Sequence, residues 1–173
     1  MGSSRLSVLL CSLFLLSVVP LTHVTADESD SWHDHVVISE VLASASSASY
    51  NGTDWNGDGY IGSSSDQFIE LWNPTDQTIN ISNWVLDDII GGGSPACTIG
   101  WDTELAPGAR LAFFRDYTQI ELDYWDGDTV NLLDDQGNLV HSMTYAPEDS
   151  WWDVPYTLLE NGSYWKDFDG PSP

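Results

Sequence analysis

Basic residues are scarce: the 173-residue chain carries four Lys and Arg against 27 Asp and Glu, a formal net charge of −23 with His neutral. A protein that grips nucleic acid typically needs about 6–10 cationic phosphate contacts, so nucleic-acid binding is excluded, and attraction to anionic lipid with it. Cysteine is scarce too. Of the two present, Cys11 lies in the N-terminal apolar run, which leaves Cys97 alone and rules out a disulfide framework in the rest of the chain. Cys97 reads as a small buried apolar residue, because no histidine or other base neighbours it in sequence. After the N-terminus there is no long hydrophobic run, hence no expected membrane span. A convincing 3.6-residue period is also missing, and no helix of consequence is expected.

What is abundant is apolar and aromatic: 42% of residues are hydrophobic and nine are Trp, too much for a disordered chain. The N-terminus has the layout of a secretory signal: Arg5, an apolar stretch over residues 6–19, and the small-residue site Val24-Thr25-Ala26. Residues 1–26 are read as that signal, which makes the product secreted or displayed at the cell surface. Residues 27–34 form an acidic leader, residues 35–146 one domain, and residues 147–173 an aromatic, acidic tail. The tail is open to two readings, with its rings packed along the domain or with the segment loose.

Residues 51–73, NGTDWNGDGYIGSSSDQFIELWN, organise the rest. Asp54, Asn56 and Asp58 alternate, Gly59 supplies a sharp turn, and Tyr60 offers a backbone carbonyl, which is the first half of an EF-hand-type calcium loop. The acid at the twelfth position is replaced by Ser65, with Asp66 one step later and Glu70 in the strand beyond. Two carboxylates 4 Å apart repel by about 4 kcal/mol at an effective dielectric of 20, so a cation would be needed to draw the set together. The candidate calcium ligands are Asp54, Asn56, Asp58, Tyr60, Asp66 and Glu70, with Glu40 as a possible addition. The alternative is a solvated turn whose Asp, Asn and Gly suit its dihedrals.

Strands are predicted at residues 35–42 (HVVISEVL), 67–73 (QFIELWN), 78–82 (TINIS), 84–90 (WVLDDII), 97–101, 110–114 (RLAFF), 130–133 and 139–145, with residues 118–122 ambiguous. Alternation places Ile69 and Leu71 on one face of their strand and Phe68, Glu70 and Trp72 on the other. Glu40 and Glu70 are acids among apolar strand residues, explained either by a bound cation or by exposed positions. A tight turn is expected at Ser82-Asn83, and residues 134–138 (DDQGN) read as a hairpin loop. Short strands divided by turns indicate an all-β sandwich. His33 and His35 have H-x-H spacing, without an apparent third metal ligand.

Five pieces in order, VVISEVLA, DWNGDGYIGSSSDQFIELWNP, ISNWVLDD, ELAPGARLAFF and DGDTVNLLDDQGNLVHSMTY, resemble the lamin tail domain family in its secreted prokaryotic form. The resemblance spans about residues 36–145 and implies an immunoglobulin-like sandwich serving as a non-catalytic module. The expected function is a secreted or cell-surface interaction or structural module, not an enzyme, stabilised by calcium and engaging an extracellular protein or glycan. One alternative is a carbohydrate-binding accessory domain using Trp55, Trp125, Trp151 and Trp152, whose flat rings suit sugar faces; another is a small secreted hydrolase. Asn51, Asn80 and Asn161 begin N-x-S/T sequons and are candidate glycosylation sites.

Overall fold

The computed structural model describes residues 33–146 and 152–166. The signal-peptide reading, most of the acidic leader, Cys11, Trp151 and Phe168 lie outside the described residues.

Strand β1 (Val37–Leu42) is apolar except at Ser39 and Glu40, and every one of its residues is buried. It pairs antiparallel with β2 (Phe68–Trp72), which pairs in turn with β7 (Arg110–Phe114). The period-2 pattern sorts this layer as expected. Val41, Ile69, Leu71 and Phe113 face the main core, while Leu42 and Phe68 face a smaller cluster on the opposite side with Ala112 and Phe114. Beyond β1 come β10 (Tyr156–Leu158) and β11 (Tyr164–Lys166), completing the five-stranded order β11-β10-β1-β2-β7. Part of the tail is therefore built into the sheet.

The opposing layer has the order β5-β4-β8-β9, from β4 (Val85–Asp87), β5 (Cys97–Thr98), β8 (Asp128–Leu133) and β9 (Leu139–Tyr145). Its inward residues Leu86, Val130, Leu132 and Met143 meet the first sheet, and Cys97 is buried as expected, its thiol pushed up by that burial. Two facing antiparallel sheets make this the immunoglobulin-like sandwich of the sequence reading. One helical turn, α1 (Arg115–Thr118), precedes the ambiguous segment at 118–122, which holds no strand.

Residues 78–82 and 84–90 do turn at Asn83, which is left-handed at φ 63°, yet they do not share a sheet. Strand β3 (Ile79–Asn80) pairs with β6 (Glu104–Leu105), whereas β4 belongs to the four-stranded layer. Ile81, fully buried at the junction, pins the crossing point between them. The hairpin at 134–138 closes as its sequence predicts: Asp134 donates its N–H to the Asn138 carbonyl at 2.9 Å, and Gly137 takes φ 81°. Hydrogen bonds from the Asn138 side chain and backbone hold the exposed Asp134 carboxyl below its usual range.

A bulge interrupts the β1–β2 ladder between Ile38 and Glu40. Side chains from elsewhere take up the backbone groups released there: the Ile38 N–H donates to Nδ1 of His141 at 3.2 Å, and its carbonyl accepts from the Tyr164 hydroxyl. His35 lies 5.8 Å from His141, ring centre to ring centre, and Tyr164 lies 6.4 Å from it. Burial, and secondarily the nearby His35, depress His141 from 6.5 to about 4. The folded chain thus keeps this imidazole neutral where the unfolded chain would already protonate it, so stability falls as pH drops from 6.5 toward 4. Urea midpoints measured from pH 7 to pH 5 will decline, and His141→Gln, which retains an acceptor for Ile38, will flatten that slope.

Candidate functional site

The acidic loop leaves β1 through a single 3-10 turn (Ala48–Tyr50) and crosses the outer face of the five-stranded sheet. It is anchored there by packing. Trp55 lies against Phe68 with ring centres 5.8 Å apart, Phe68 meets Phe114 edge-on at 5.6 Å, and Leu42 and Ala45 fill the space below. The Trp55 indole N–H donates to Asp153 at 3.0 Å. The same carboxylate accepts the backbone N–H groups of Ser46 at 2.8 Å and Thr53 at 2.7 Å, while the Asp153 N–H donates to the Ser44 carbonyl. A residue of the tail thereby clamps both sides of the loop.

Asp66 works from the other side. Fully buried, it accepts N–H groups from Trp55 at 3.1 Å, Asn56 at 3.3 Å and Gly62 at 2.7 Å. Asp54 gathers the apex, accepting from Gly57 at 2.8 Å, Asp58 at 3.2 Å and Gly59 at 2.9 Å. Both glycines are left-handed, at φ 72° and 88°, which lets successive amides turn inward without a Cβ clash. Asn56 accepts the Asp58 N–H and donates its amide to the Asp58 carboxylate, which also accepts from the Tyr60 N–H at 2.7 Å.

Of the sequence-predicted calcium ligands, the structure draws Asp54, Asn56 and Asp58 into one turn, with Tyr60 directly after it. A carboxylate offers about four lone-pair sites, so acceptance of three N–H groups leaves Asp54 room for one more contact. The donor set is small: two carboxylates, one amide oxygen and a carbonyl. Asp66 directs its oxygens at the backbone, and Glu70 lies in the strand, so neither joins that turn. Among the described residues no three His, Cys, Asp or Glu side chains converge in a metal-holding group.

Glu70 has a cation of its own. Its Oε1 accepts from Arg110 at 2.8 Å and from the Ser39 hydroxyl at 2.6 Å, and the Arg110 guanidinium lies 4.9 Å above the Trp72 ring. Glu40, cross-strand from Glu70, accepts from Thr157 at 2.9 Å. Neither acid sits at an exposed strand position. The three sequon asparagines, Asn51, Asn80 and Asn161, are all exposed.

A family model for the lamin tail domain covers residues 30–147. The chain belongs to the lamin tail domain family. No curated protein matches it. Lamin tail domains are non-enzymatic, immunoglobulin-like modules, and a non-catalytic interaction or structural role fits this member. The matched span ends before β10 and β11, so the strands that extend the sheet, and Asp153 which clamps the loop, lie beyond the lamin tail match. Among the described residues no helix is long and apolar enough to cross a membrane.

Two consequences are measurable. Asp66→Ala leaves three amides without their acceptor and will cost about 2–4 kcal/mol in urea denaturation. Arg110→Met strands a buried carboxylate and will cost about 2–4 kcal/mol, whereas Arg110→Met with Glu70→Gln will recover part of that loss.

Proposed function

We propose that this lamin tail domain is a secreted or cell-surface, non-catalytic interaction and structural module whose loop at residues 54–60 is stabilised by calcium. The observation that carries the non-catalytic reading is where its reactive groups are placed. His141 uses Nδ1 to hold the Ile38 amide, Cys97 is buried, and the loop carboxylates are directed at backbone N–H groups rather than at a nucleophile. The export reading is supported by the signal-like residues 1–26, and mass spectrometry of exported material is expected to find a product beginning at Asp27.

For calcium, the supporting feature is the single turn in which Asp54, Asn56 and Asp58 lie with the Tyr60 carbonyl, a hard-oxygen set of the kind calcium takes. Its contribution would be to offset the mutual repulsion of the two acids and fix the loop. At calcium a hundredfold above Kd, binding to the folded form alone adds about 2.7 kcal/mol, which raises the melting temperature by about 5 °C or more. Asp58→Asn, which keeps an acceptor for the Tyr60 amide, will abolish that rise; identical melting curves in calcium and in chelator would remove calcium from the proposal.

A second reading, a carbohydrate-binding accessory domain, draws support from Trp125 and Trp152, exposed at 70% and 53%. Trp55, named for the same role, is packed on Phe68 and hydrogen-bonded through its indole, while Trp151 lies outside the described residues. Selective glycan-array binding that disappears in Trp125→Ala and Trp152→Ala would favour this reading over the first.

A further inference from the structure

A groove of about 670 Å³ runs between residues 88–94 and residues 121–128, with Ser63, Ser64 and Gln67 also along its lining. Asp88, Asp123, Asp126 and Asp128 line it with Tyr124 and Trp125, and Glu121 and Arg115 stand at its side. Backbone amides hold its walls in place. Asp88 accepts the Ile89 and Ser94 N–H groups and the Ser94 hydroxyl proton, Ser94 in turn accepts the Glu121 N–H, and Asp123 accepts from Trp125 and Asp126. Asp128 accepts from Asp123, and burial together with Asp88 and Asp123 raises its carboxyl above the usual range.

Two observations beyond the acids point to an occupant. Tyr124, Trp125 and Trp152 form a ring cluster with centres 4.6 to 6.4 Å apart, two of them exposed, and Ile89 at 54% exposure stands on the opposite wall. Finally, the groove already holds one guanidinium: Arg115 meets Glu121 at 3.3 Å and Gln67 at 3.3 Å.

We infer that this groove is the docking site for a Lys- or Arg-bearing, partly apolar segment of another protein. The inference rests on the interaction-module reading above and gives its partner a chemistry. Cationic side chains would lie over the Trp125 and Trp152 faces with their charge among the carboxylates. A second copy of the chain is a poor occupant because it brings the same −23 charge. A neutral glycan could use the rings and would leave the acids unanswered.

The test is titration of the full chain, followed by tryptophan fluorescence, with a capped Arg/Leu octapeptide, its Gln/Leu counterpart and a neutral hexasaccharide. Binding of the Arg/Leu peptide is expected to weaken about tenfold or more in Asp126→Asn and in Trp125→Ala, and as salt rises. Asp135→Asn, an exposed acid on the distant hairpin, is expected to leave it within about twofold, with melting temperatures confirming that all variants fold. Equal weakening by Asp135→Asn, or equal affinity for the Gln/Leu peptide or the hexasaccharide, overturns the inference. Intact peptide that does not bind overturns the groove and leaves the module reading in place, whereas cleavage of bound peptide overturns the non-catalytic reading and supports the groove as its binding place.

Discussion

The bond on which the rest of this structure depends is the one between an aspartate carboxylate and a run of backbone amides. A sandwich of short strands leaves many loop N–H groups outside any ladder, and those that are buried must find acceptors. Asp66, Asp153, Asp54, Asp88, Asp123 and Asp134 each accept two or three such donors, so the loops are held from within by side chains of their own or of a neighbouring segment. Charge-assisted bonds of this kind are stronger than neutral ones. The acidity that dominates the composition is therefore partly structural, and in a chain with one described thiol it stands where disulfides stand in many small extracellular domains.

The loop and the sheet are consequently one unit. Trp55 closes a small apolar cluster on the face of β2 opposite the main core, while a few residues along the same face Glu70, Arg110, Ser39 and Trp72 form a compact polar group. The bulge at Ser39 ties these together, because it turns the hydroxyl toward Glu70 and leaves the Ile38 backbone to His141 and Tyr164. Distortion at the bulge would be felt in both sheets and in the strand contributed by the tail.

Strands whose faces differ were legible in the sequence. Alternation placed β2 and its two faces, and β7 and β9 fell on the bounds the pattern suggested. The turn at Asn83 was legible too, but its topology was not, since nothing local tells two adjacent short strands that they serve different sheets. Strands β10 and β11 were hidden because three-residue strands set among Gly, Pro and acids carry no period. The site was legible only where it is local. Asp54, Asn56 and Asp58 share a turn because they are neighbours in sequence, whereas the link from Glu70 to Arg110 spans 40 residues and that from Trp55 to Asp153 spans 98. A cue for the first did exist, since Arg110 is one of very few cations in the chain.

The position of β1 carries a consequence for solubility. Its buried, largely aliphatic sequence lies between β2 on one side and β10 on the other, so its hydrogen-bonding rim is covered on both flanks. Without β10 that rim would present a ready template for cross-chain pairing, the starting point of amyloid-like growth. At that end of the sheet the margin is instead β11, three residues long and ending in Lys166, a short edge with a charge on it, while β7 forms the opposite margin. The last strands thus cover the flank of β1 as well as extending the layer.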